Sequence, residues 1–262
     1  MNILDTIIEH KRKEVAARKG QVPFAKLEHS KFFSSSPFSL KQFLLDENRT
    51  GIIAEFKRKS PSKGIINDKA DVVDVTTAYA NNGASGLSVL TDEFFFGGTT
   101  EDVIKARINE VPILRKDFIV DEYQIAEAKA MGADVILLIA ACLSPAEVKQ
   151  LANFAHSLQL EVLLELHDEA ELEHICNATE LVGINNRNLK TFAVDIERSL
   201  LMAEKIPAGK IKIAESGISS IENIRLFKEN GFNGFLMGEN FMKEADPAAA
   251  FAKFAEALKA VV

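Results

Sequence analysis

Short runs of apolar and β-branched residues recur along the chain, and they alternate with longer segments in which apolar residues have helical spacing. This alternation is typical of a parallel sheet whose strands are joined by crossover helices. The pattern predicts eight strands, each followed by a helix. We expect the strands at residues 51–57, 86–91, 111–116, 134–139, 161–165, 181–185, 210–214 and 234–237, and the helices at 70–82, 100–109, 121–131, 144–157, 168–176, 195–204, 219–230 and 247–260.

The number of strand–helix units bears on the fold class. Eight such units can form an open doubly wound sheet or a closed (β/α)8 TIM barrel, and periodicity does not separate the two. The count of eight, the length of 262 residues and the absence of an early GxGxxG turn favour the barrel. We therefore predict an α/β fold in which residues 1–262 form a single (β/α)8-barrel domain.

Residues 1–48 precede the first predicted strand and carry a helical pattern of their own. A second helix is expected at residues 37–45, after a Ser- and Phe-rich connection. We interpret this segment as an N-terminal helical extension of the barrel and not as an independent domain. The apolar positions that predict its first, amphipathic helix are Ile3, Leu4, Ile7, Ile8 and Val15.

Local signals mark several helix ends. Ser144 and Asp246 each precede a proline, an arrangement that places a capping side chain before a proline in the first helical turn. Three glycines stand at helix ends where a left-handed residue is favoured: Gly83, Gly132 and Gly231.

Composition and charge narrow the function classes. With 47% hydrophobic and 26% charged residues the chain is an ordinary globular sequence, and its net charge of −7 argues against a nucleic-acid partner, which requires a basic stripe. Asp5, Glu9 and His10 interrupt the N-terminal apolar residues before a signal-peptide core forms, and no later run has membrane-spanning length. We expect a cytoplasmic protein without membrane association. Cys142 and Cys176 are expected to be packing residues, with no disulfide framework and no metal site.

Two charged residues fall within the first predicted strand. Glu55 and Lys57 are two positions apart, so the period of a strand places them on the same face. Near the carboxyl end of a barrel strand, that face lies where such enzymes have their active sites. The alternative is a structural ion pair that closes the barrel floor. The position of both residues at the end of the strand favours the active site.

The third predicted strand ends in Arg115 and Lys116. Alternation directs Lys116 into the barrel mouth and Arg115 outward. A lysine near other cations and partly removed from water has a lowered pKa, which suits a general acid. The alternative is an exposed lysine at a strand terminus.

Polar residues recur at the ends of later strands. Glu165 ends the fifth strand, Asn185 ends the sixth with Arg187 just beyond it, and Glu215 and Ser216 follow the seventh. Because the carboxyl ends of barrel strands meet at one rim, a shared pocket is the simplest explanation. A cluster of lysine and glutamate there separates the pKa values of its members and provides an acid and a base.

Glycine turns after the last two strands indicate a phosphate site. Ser216–Gly217 follows the seventh strand and Gly238–Glu239 the eighth, and barrels commonly bind phosphate there through backbone N–H groups. Glu239 can contribute only through its backbone N–H, because its carboxylate repels an anion.

Aromatic residues and one histidine complete the candidates. The phenylalanines at 94–96 follow the second strand and either wall an aromatic-substrate pocket or pack under a neighbouring helix; Phe118 has the better position for the pocket. His167 follows Glu165 by two positions and is interpreted as a cap of the next helix.

The strings IIAEFKRKSPSKG, PILRKDFIVDEYQI, LLELHD, GINNRNL, KIAESGIS and FLMGEN, in this order and spacing, closely resemble the indole-3-glycerol phosphate synthase family of tryptophan biosynthesis. The likeness covers nearly all of the chain from residue 50 onward, and residues 1–48 look like the family's extra segment over the barrel mouth. The resemblance implies a carbon–carbon lyase that closes the indole ring of 1-(2-carboxyphenylamino)-1-deoxyribulose 5-phosphate, with loss of carbon dioxide and water and with no cofactor.

The resemblance also implies residue roles. Lys116 matches the general acid, Glu165 the acid/base group of the dehydration, and Lys57 a lysine that binds the substrate carboxylate or serves as a second acid. The remaining matches are Glu55, Asn185 and Ser216 as polar catalytic residues, Ser60, Phe96, Phe118 and Arg187 as substrate-binding residues, and Ser216, Gly217, Gly238 and Glu239 as phosphate-binding residues. We expect a monofunctional, monomeric enzyme.

Two other functions stay open. One is a different phosphate-binding barrel, such as an isomerase of a phosphoribosyl amine, which would use a Cys and Asp pair; no cysteine stands at a predicted strand end. The other is a binding or regulatory protein that retains the barrel without turnover, an interpretation that the presence of Lys57, Lys116 and Glu165 disfavours.

Overall fold

Residues 3–188 and 193–260, the part of the chain that the computed structural model describes, contain a closed barrel of eight parallel strands. The first strand pairs with both the second and the eighth, so the sheet has no free edge. The closed barrel is confirmed over the open doubly wound sheet. The strands are β1 Ile52–Phe56, β2 Gly86–Leu90, β3 Ile113–Lys116, β4 Val135–Ile139, β5 Glu161–Leu166, β6 Leu181–Asn185, β7 Ile211–Glu215 and β8 Gly234–Met237.

Helices precede, connect and follow these strands. A short antiparallel hairpin, Lys59–Ser60 with Gly64–Ile65, follows β1, and 3-10 turns lie at Ala140–Cys142 and Glu169–His174. Among the described residues, no helix combines the length and the apolar character that crossing a membrane requires. The helices are α1 Ile3–Gln21, α2 Phe24–Glu28, α3 Leu40–Leu45, α4 Val72–Asn81, α5 Glu93–Phe96, α6 Thr100–Ala106, α7 Glu122–Met131, α8 Pro145–Ser157, α9 Ile196–Glu204, α10 Ile221–Glu229, α11 Glu239–Met242 and α12 Pro247–Lys259.

Two apolar cores lie on the two faces of the barrel sheet. Strand residues such as Ile52 and Ala54 pack outward against the helices, whereas Ile53 packs inward. The alternation of period two along each strand therefore fills both cores. Because the inward set also includes Glu55, the polar site begins where the inner apolar core ends.

The short helix α3 closes the barrel at the amino ends of the strands. Its residues Leu40 and Leu44 are buried in the inner core, next to Gly86 and Gly234, the first residues of their strands. The N-terminal segment thus reaches both ends of the barrel, because residues of α1 lie at the mouth. Residues 1–48 as a whole were expected to cover the mouth. For α1 this stays a prediction, whereas α3 lies at the opposite end of the barrel.

A buried lysine attaches α1 to the barrel. The Lys11 side chain is fully buried, and its Nζ lies 2.9 Å from Asp92 Oδ2 and 3.0 Å from Asp117 Oδ1. Asp117 also pairs with Arg115, at 3.0 Å. Arg115 points away from the barrel interior, as predicted, and it is completely buried beneath α7, where it donates to the Gln124 carbonyl.

Most of the predicted helix ends are confirmed. Ser144 caps α8 in a reciprocal box with Glu147, Asp246 caps α12, and Gly132 is left-handed at the end of α7. Two segments differ from the prediction. Residues 168–176 contain a 3-10 helix, a form that proteins use in short pieces, and residues 93–96 form the helix α5 within the loop after β2.

Candidate active site

Two adjoining cavities, of about 250 and about 200 Å³, open at the carboxyl ends of the strands. The structure brings every candidate residue to their walls. None of the described residues that line them is a cysteine, and no group of three or more His, Cys, Asp and Glu among the described residues is arranged to hold a metal ion. The candidate residues on the walls are Glu55, Lys57, Ser60, Phe96, Lys116, Phe118, Glu165, Asn185, Arg187, Ser216, Gly217, Gly238 and Glu239.

Lys116 lines the smaller of the two cavities and lies between two carboxylates from other strands. Its Nζ donates to Glu165 Oε2 at 2.8 Å and to Glu215 Oε2 at 3.3 Å. Both carboxylates are almost completely buried, whereas 18% of the Lys116 side chain is exposed. The ammonium group is therefore the member of this cluster that an entering substrate can reach most easily.

The predicted lowering of the Lys116 pKa is wrong. Burial by itself lowers that pKa, but the negative charges of Glu165, Glu215 and Glu55 outweigh it, so the pKa of Lys116 is raised. The prediction assumed that cations surround the lysine, whereas Arg115 lies on the other face of the strand. Lys116 consequently holds its proton at neutral pH, as a general acid must before it reacts.

The two glutamates beside Lys116 have opposite pKa shifts. Burial acts to raise the pKa of Glu165, but Lys116 and His167 outweigh it and lower the pKa well below its usual range. Burial raises the pKa of Glu215, and the charge of Glu165 raises it further against the opposing effect of Lys116. The predicted separation of pKa values is confirmed, with Glu165 as the carboxylate.

Glu215 has a more central place than the sequence indicated. It ends β7 and points inward, and its carboxylate fills space over Gly183 of β6, where any Cβ would overlap Glu215 Oε1. The sequence signal was the last inward position of a buried strand, the same signal that identified Glu165.

Glu55 and Lys57 form an ion pair at the rim, not at the barrel floor. Lys57 Nζ lies 2.7 Å from Glu55 Oε1, and Ser88 of β2 donates to Glu55 Oε2 at 3.4 Å. Gly238 approaches the Glu55 side chain so closely that a Cβ would lie 2.8 Å from the Cβ of Glu55. The Glu55 side chain therefore packs directly against the backbone of the loop after β8.

The loops after β7 and β8, where the sequence predicts a phosphate site, contain left-handed residues and the start of a helix. Ser216 and Gly217 are both left-handed, with φ of 66° and 70°, and Gly238 immediately precedes α11. Glu239 Oε2 lies 3.6 Å from Arg187, and its Oε1 lies 3.6 Å from Lys63 Nζ. Two cationic side chains, those of Arg187 and Lys63, thus lie beside the Glu239 carboxylate at this end of the cavity.

The opposite wall of the cavity is aromatic and apolar. The ring centroids of Phe96 and Phe118 are 5.9 Å apart, and Leu4 of α1 lines both cavities beside them. Phe94 instead stacks on His10 of α1, at 4.9 Å between ring centroids. Of the three phenylalanines after β2, only Phe96 lines these cavities. Phe96 therefore fits the interpretation as a pocket wall, and Phe94 contacts a neighbouring helix.

His167 is the functional candidate that the sequence interpretation missed. The helix cap was expected at His167, but Asp168 caps the 3-10 helix by accepting from the Ala170 N–H. His167 is buried, and its Nε2 lies 2.9 Å from Glu165 Oε1. The spacing of two from Glu165, continued one step beyond β5, was the signal that could have found it.

The fold and the site together define a (β/α)8-barrel enzyme with its acid/base groups at the carboxyl ends of the strands. Residues 4–254 match the family model described as indole-3-glycerol phosphate synthase. The chain belongs to the indole-3-glycerol phosphate synthase family, whose members are decarboxylating lyases of tryptophan biosynthesis.

Relatives of known family agree with this assignment, and a solved structure agrees with the fold. The chain is 45% identical to the indole-3-glycerol phosphate synthase of Bacteroides thetaiotaomicron over 98% of this chain and 99% of the relative. It is 43% identical to that of a Polaromonas species over 96% and 97% of the two chains. A mutant tryptophan synthase α-subunit from Pyrococcus furiosus has a TM-score of 0.62 and 16% identity, covering 81% of this chain and 99% of that one, which shows the fold alone.

Proposed function

We propose that this protein converts 1-(2-carboxyphenylamino)-1-deoxyribulose 5-phosphate to indole-3-glycerol phosphate, releasing carbon dioxide and water. The observation that carries the proposal is the position of Lys116, 2.8 Å from Glu165, in a cavity with an aromatic wall that adjoins a second cavity lined by the glycine turns. An anthranilate ring matches the aromatic wall and a phosphate group the glycine turns.

Substrate binding uses three regions of the cavity. Phe96 and Phe118 pack against the aromatic ring, and Lys57 binds its carboxylate. The backbone N–H groups of Gly217, Gly238 and Glu239 bind the phosphate, with Arg187 beside them and Ser60 above, in the loop after β1. A substrate fixed at both ends places its ribulose carbonyl near Lys116, where the reacting groups gain from proximity.

Lys116 and Glu165 carry the proton transfers. As the aromatic carbon attacks the ribulose carbonyl, the Lys116 ammonium protonates the carbonyl oxygen. Carbon dioxide then leaves, and its bonding electrons restore the ring. In the dehydration, the hydroxyl group formed from the ribulose carbonyl departs as water, with a proton from an acid of the cluster. Glu165 accepts the proton that the adjacent carbon of the substrate loses. Asn185, which donates to Glu165 at 2.9 Å, keeps that carboxylate oriented.

Indole fluorescence tests this proposal directly. Purified protein with the substrate should develop the fluorescence of the indole product, and Lys116→Ala should lower kcat at least about 100-fold because the general acid is lost. Lys149→Ala, at an exposed position of α8, is the matched control and should retain the wild-type rate. Equal rates for wild type and Lys116→Ala would exclude Lys116 as the acid, and binding without turnover would indicate a non-catalytic protein.

The proposal extends to the cellular form of the enzyme. We propose a monomer that acts in the cytoplasm, with α1 over the barrel mouth. Leu4 and Ile7 of α1 line the larger cavity, which supports that placement of the helix. Light scattering of the purified protein tests the oligomeric state, and cell fractionation tests the location.

A further inference from the structure

A histidine that the proposed reaction does not use lies beside Glu165, on the wall of the same cavity. Only 7% of the His167 side chain is exposed. Its Nε2 lies 2.9 Å from Glu165 Oε1, and its Nδ1 lies 3.8 Å from Glu171 Oε2. A buried imidazole between two carboxylates forms ion pairs with them when it is protonated. Such a residue is a candidate for a functional role in addition to packing.

The two oxygens of Glu165 have different partners. Oε1 is next to both Asn185 Nδ2, at 2.9 Å, and His167 Nε2, at 2.9 Å. Oε2 contacts the Lys116 ammonium at 2.8 Å. With Oε1 held from two sides, Oε2 is the oxygen left to exchange a proton with Lys116 and the substrate.

The charges around this pair favour the imidazolium form. Burial lowers the pKa of His167, but Glu165 and Glu171 outweigh it and raise the pKa to about 9. Glu165 is therefore placed between two cations, Lys116 and His167. The other titratable or charged groups around the pair are Glu215 of β7, Glu55 of β1, Cys142 after β4 and Asp5 of α1. Asp168, Glu169 and Arg198 line a third cavity, whose wall His167 also joins.

We propose that His167 is a positioning residue, which keeps Glu165 ionised and holds its Oε1 so that Oε2 performs the proton transfer. The inference rests on the proposed function, because it assumes that Glu165 transfers a proton. His167 itself does not touch the reacting atoms. It acts through the charge and the orientation of Glu165.

A purely structural role for His167 makes different predictions. The His167 backbone N–H donates to Glu171 Oε2 at 2.6 Å, so the residue also fastens the segment after β5. That backbone bond survives a change of side chain, so the structural contribution of the imidazole is its packing and its contact with Glu171. If these were its whole contribution, a substitution would change the melting temperature and leave the pH dependence of kcat in place. The pH profile therefore separates the two roles.

The first experiment compares His167→Gln with wild type in kcat and kcat/KM from pH 3 to pH 10. Loss of the cation raises the Glu165 pKa, so the acid limb of the profile should move up by about one pH unit. At pH values below the midpoint of the wild-type acid limb, we expect kcat to fall by up to about tenfold, because one pH unit there is a tenfold change in the ionised fraction of Glu165, while KM changes less than about twofold. His156→Gln, at an exposed position of α8, should reproduce the wild-type profile.

A second measurement remains decisive if His167→Gln folds poorly. In wild-type enzyme with 15N-labelled histidine, the His167 imidazole should titrate near 9. In Glu165→Gln its pKa should fall by about one unit or more, because the neighbouring charge is gone. Titration of wild-type His167 near its ordinary value of about 6.5 would overturn the inference, as would an unshifted acid limb in a folded His167→Gln. An inactive wild type would instead refute the proposed function.

Discussion

At the scale of single residues, the shape of the site depends on two glycines as much as on its charged side chains. Gly183 of β6 leaves the space that the Glu215 carboxylate occupies, and Gly238 leaves the space beside Glu55. Gly183 lies in β6, which is otherwise apolar as far as Asn185, and Gly238 directly follows the apolar strand β8. A carboxylate can be buried at the rim because its neighbour on the next strand has no Cβ.

Gly183→Ala tests this dependence. The new methyl group overlaps Glu215 Oε1 and displaces it from Lys116, so we expect kcat to fall about tenfold or more, with the fold retained because Glu215 has rotatable bonds. Gly20→Ala is the matched control, because a Cβ at Gly20 of α1 meets nothing within 4 Å. Fluorescence assays and thermal melting of both variants provide the measurement; an unchanged kcat for Gly183→Ala would contradict the argument.

The position of Lys116 could be predicted from the sequence, but the direction of its pKa shift could not. The end of an apolar strand located Lys116 at the rim, because position along a strand is local information. The sign of its pKa shift depends on Glu165 and Glu215, which lie 49 and 99 positions away in the chain. His167 was missed for a different reason: its partner Glu165 is only two positions away, but the expected helix cap at His167 drew the interpretation away from that spacing.

At the scale of elements, α1 is attached to the barrel by charge as well as by apolar packing. Lys11 contacts Asp92, which caps α5, and Asp117, which separates Lys116 from Phe118. Burial raises the pKa of Asp117, but Arg115 and Lys11 outweigh it and hold the pKa far below its usual range. One lysine thus connects the N-terminal extension to two loops of the mouth.

Lys11→Met removes this connection. The substitution leaves buried Asp92 and Asp117 without one of their cations, so we expect the free energy of unfolding to fall by about 3–5 kcal/mol. Lys13→Met, which removes an exposed pair with Glu9 on the same helix, should cost less than about 1 kcal/mol. Urea unfolding measures both. Equal effects of the two substitutions would show that the buried cluster contributes nothing particular.

Element boundaries could be predicted where the signal is local. The eight strands start and end within two residues of the expected positions, and the caps at Ser144 and Asp246 were correct, because hydrophobic period, proline and capping side chains act over a few positions. The 3-10 form of Glu169–His174 was not predicted. Its geometry follows from packing between neighbouring units, which sequence spacing does not express.

At the scale of the whole molecule, the barrel has two ends with different tasks. The amino ends of the strands are closed by Leu40 and Leu44 of α3, and the carboxyl ends hold the polar site. Barrel enzymes in general separate stability and catalysis in this way. The apolar layers between the two ends isolate one from the other.

Leu40→Ala tests the separation. A fully buried leucine cut to alanine leaves a cavity and should lower the free energy of unfolding by about 2–5 kcal/mol, while KM and kcat stay within about twofold of wild type. Leu45→Ala, on the same helix at a position that is 51% exposed, should change stability by less than about 0.5 kcal/mol. A large loss of kcat in a folded Leu40→Ala would show that the two ends are coupled.

The closure of the barrel floor by α3 also affects how the function of such a protein can change in evolution. Substitutions at the floor are constrained by packing alone, whereas those at the rim are constrained by the substrate. A lineage can therefore acquire a new substrate by exchanging rim side chains while it inherits the floor unchanged. Mutational libraries that aim at altered chemistry belong at the strand ends around Lys57, Lys116 and Glu165, and libraries that aim at heat resistance belong around Leu40 and Leu44.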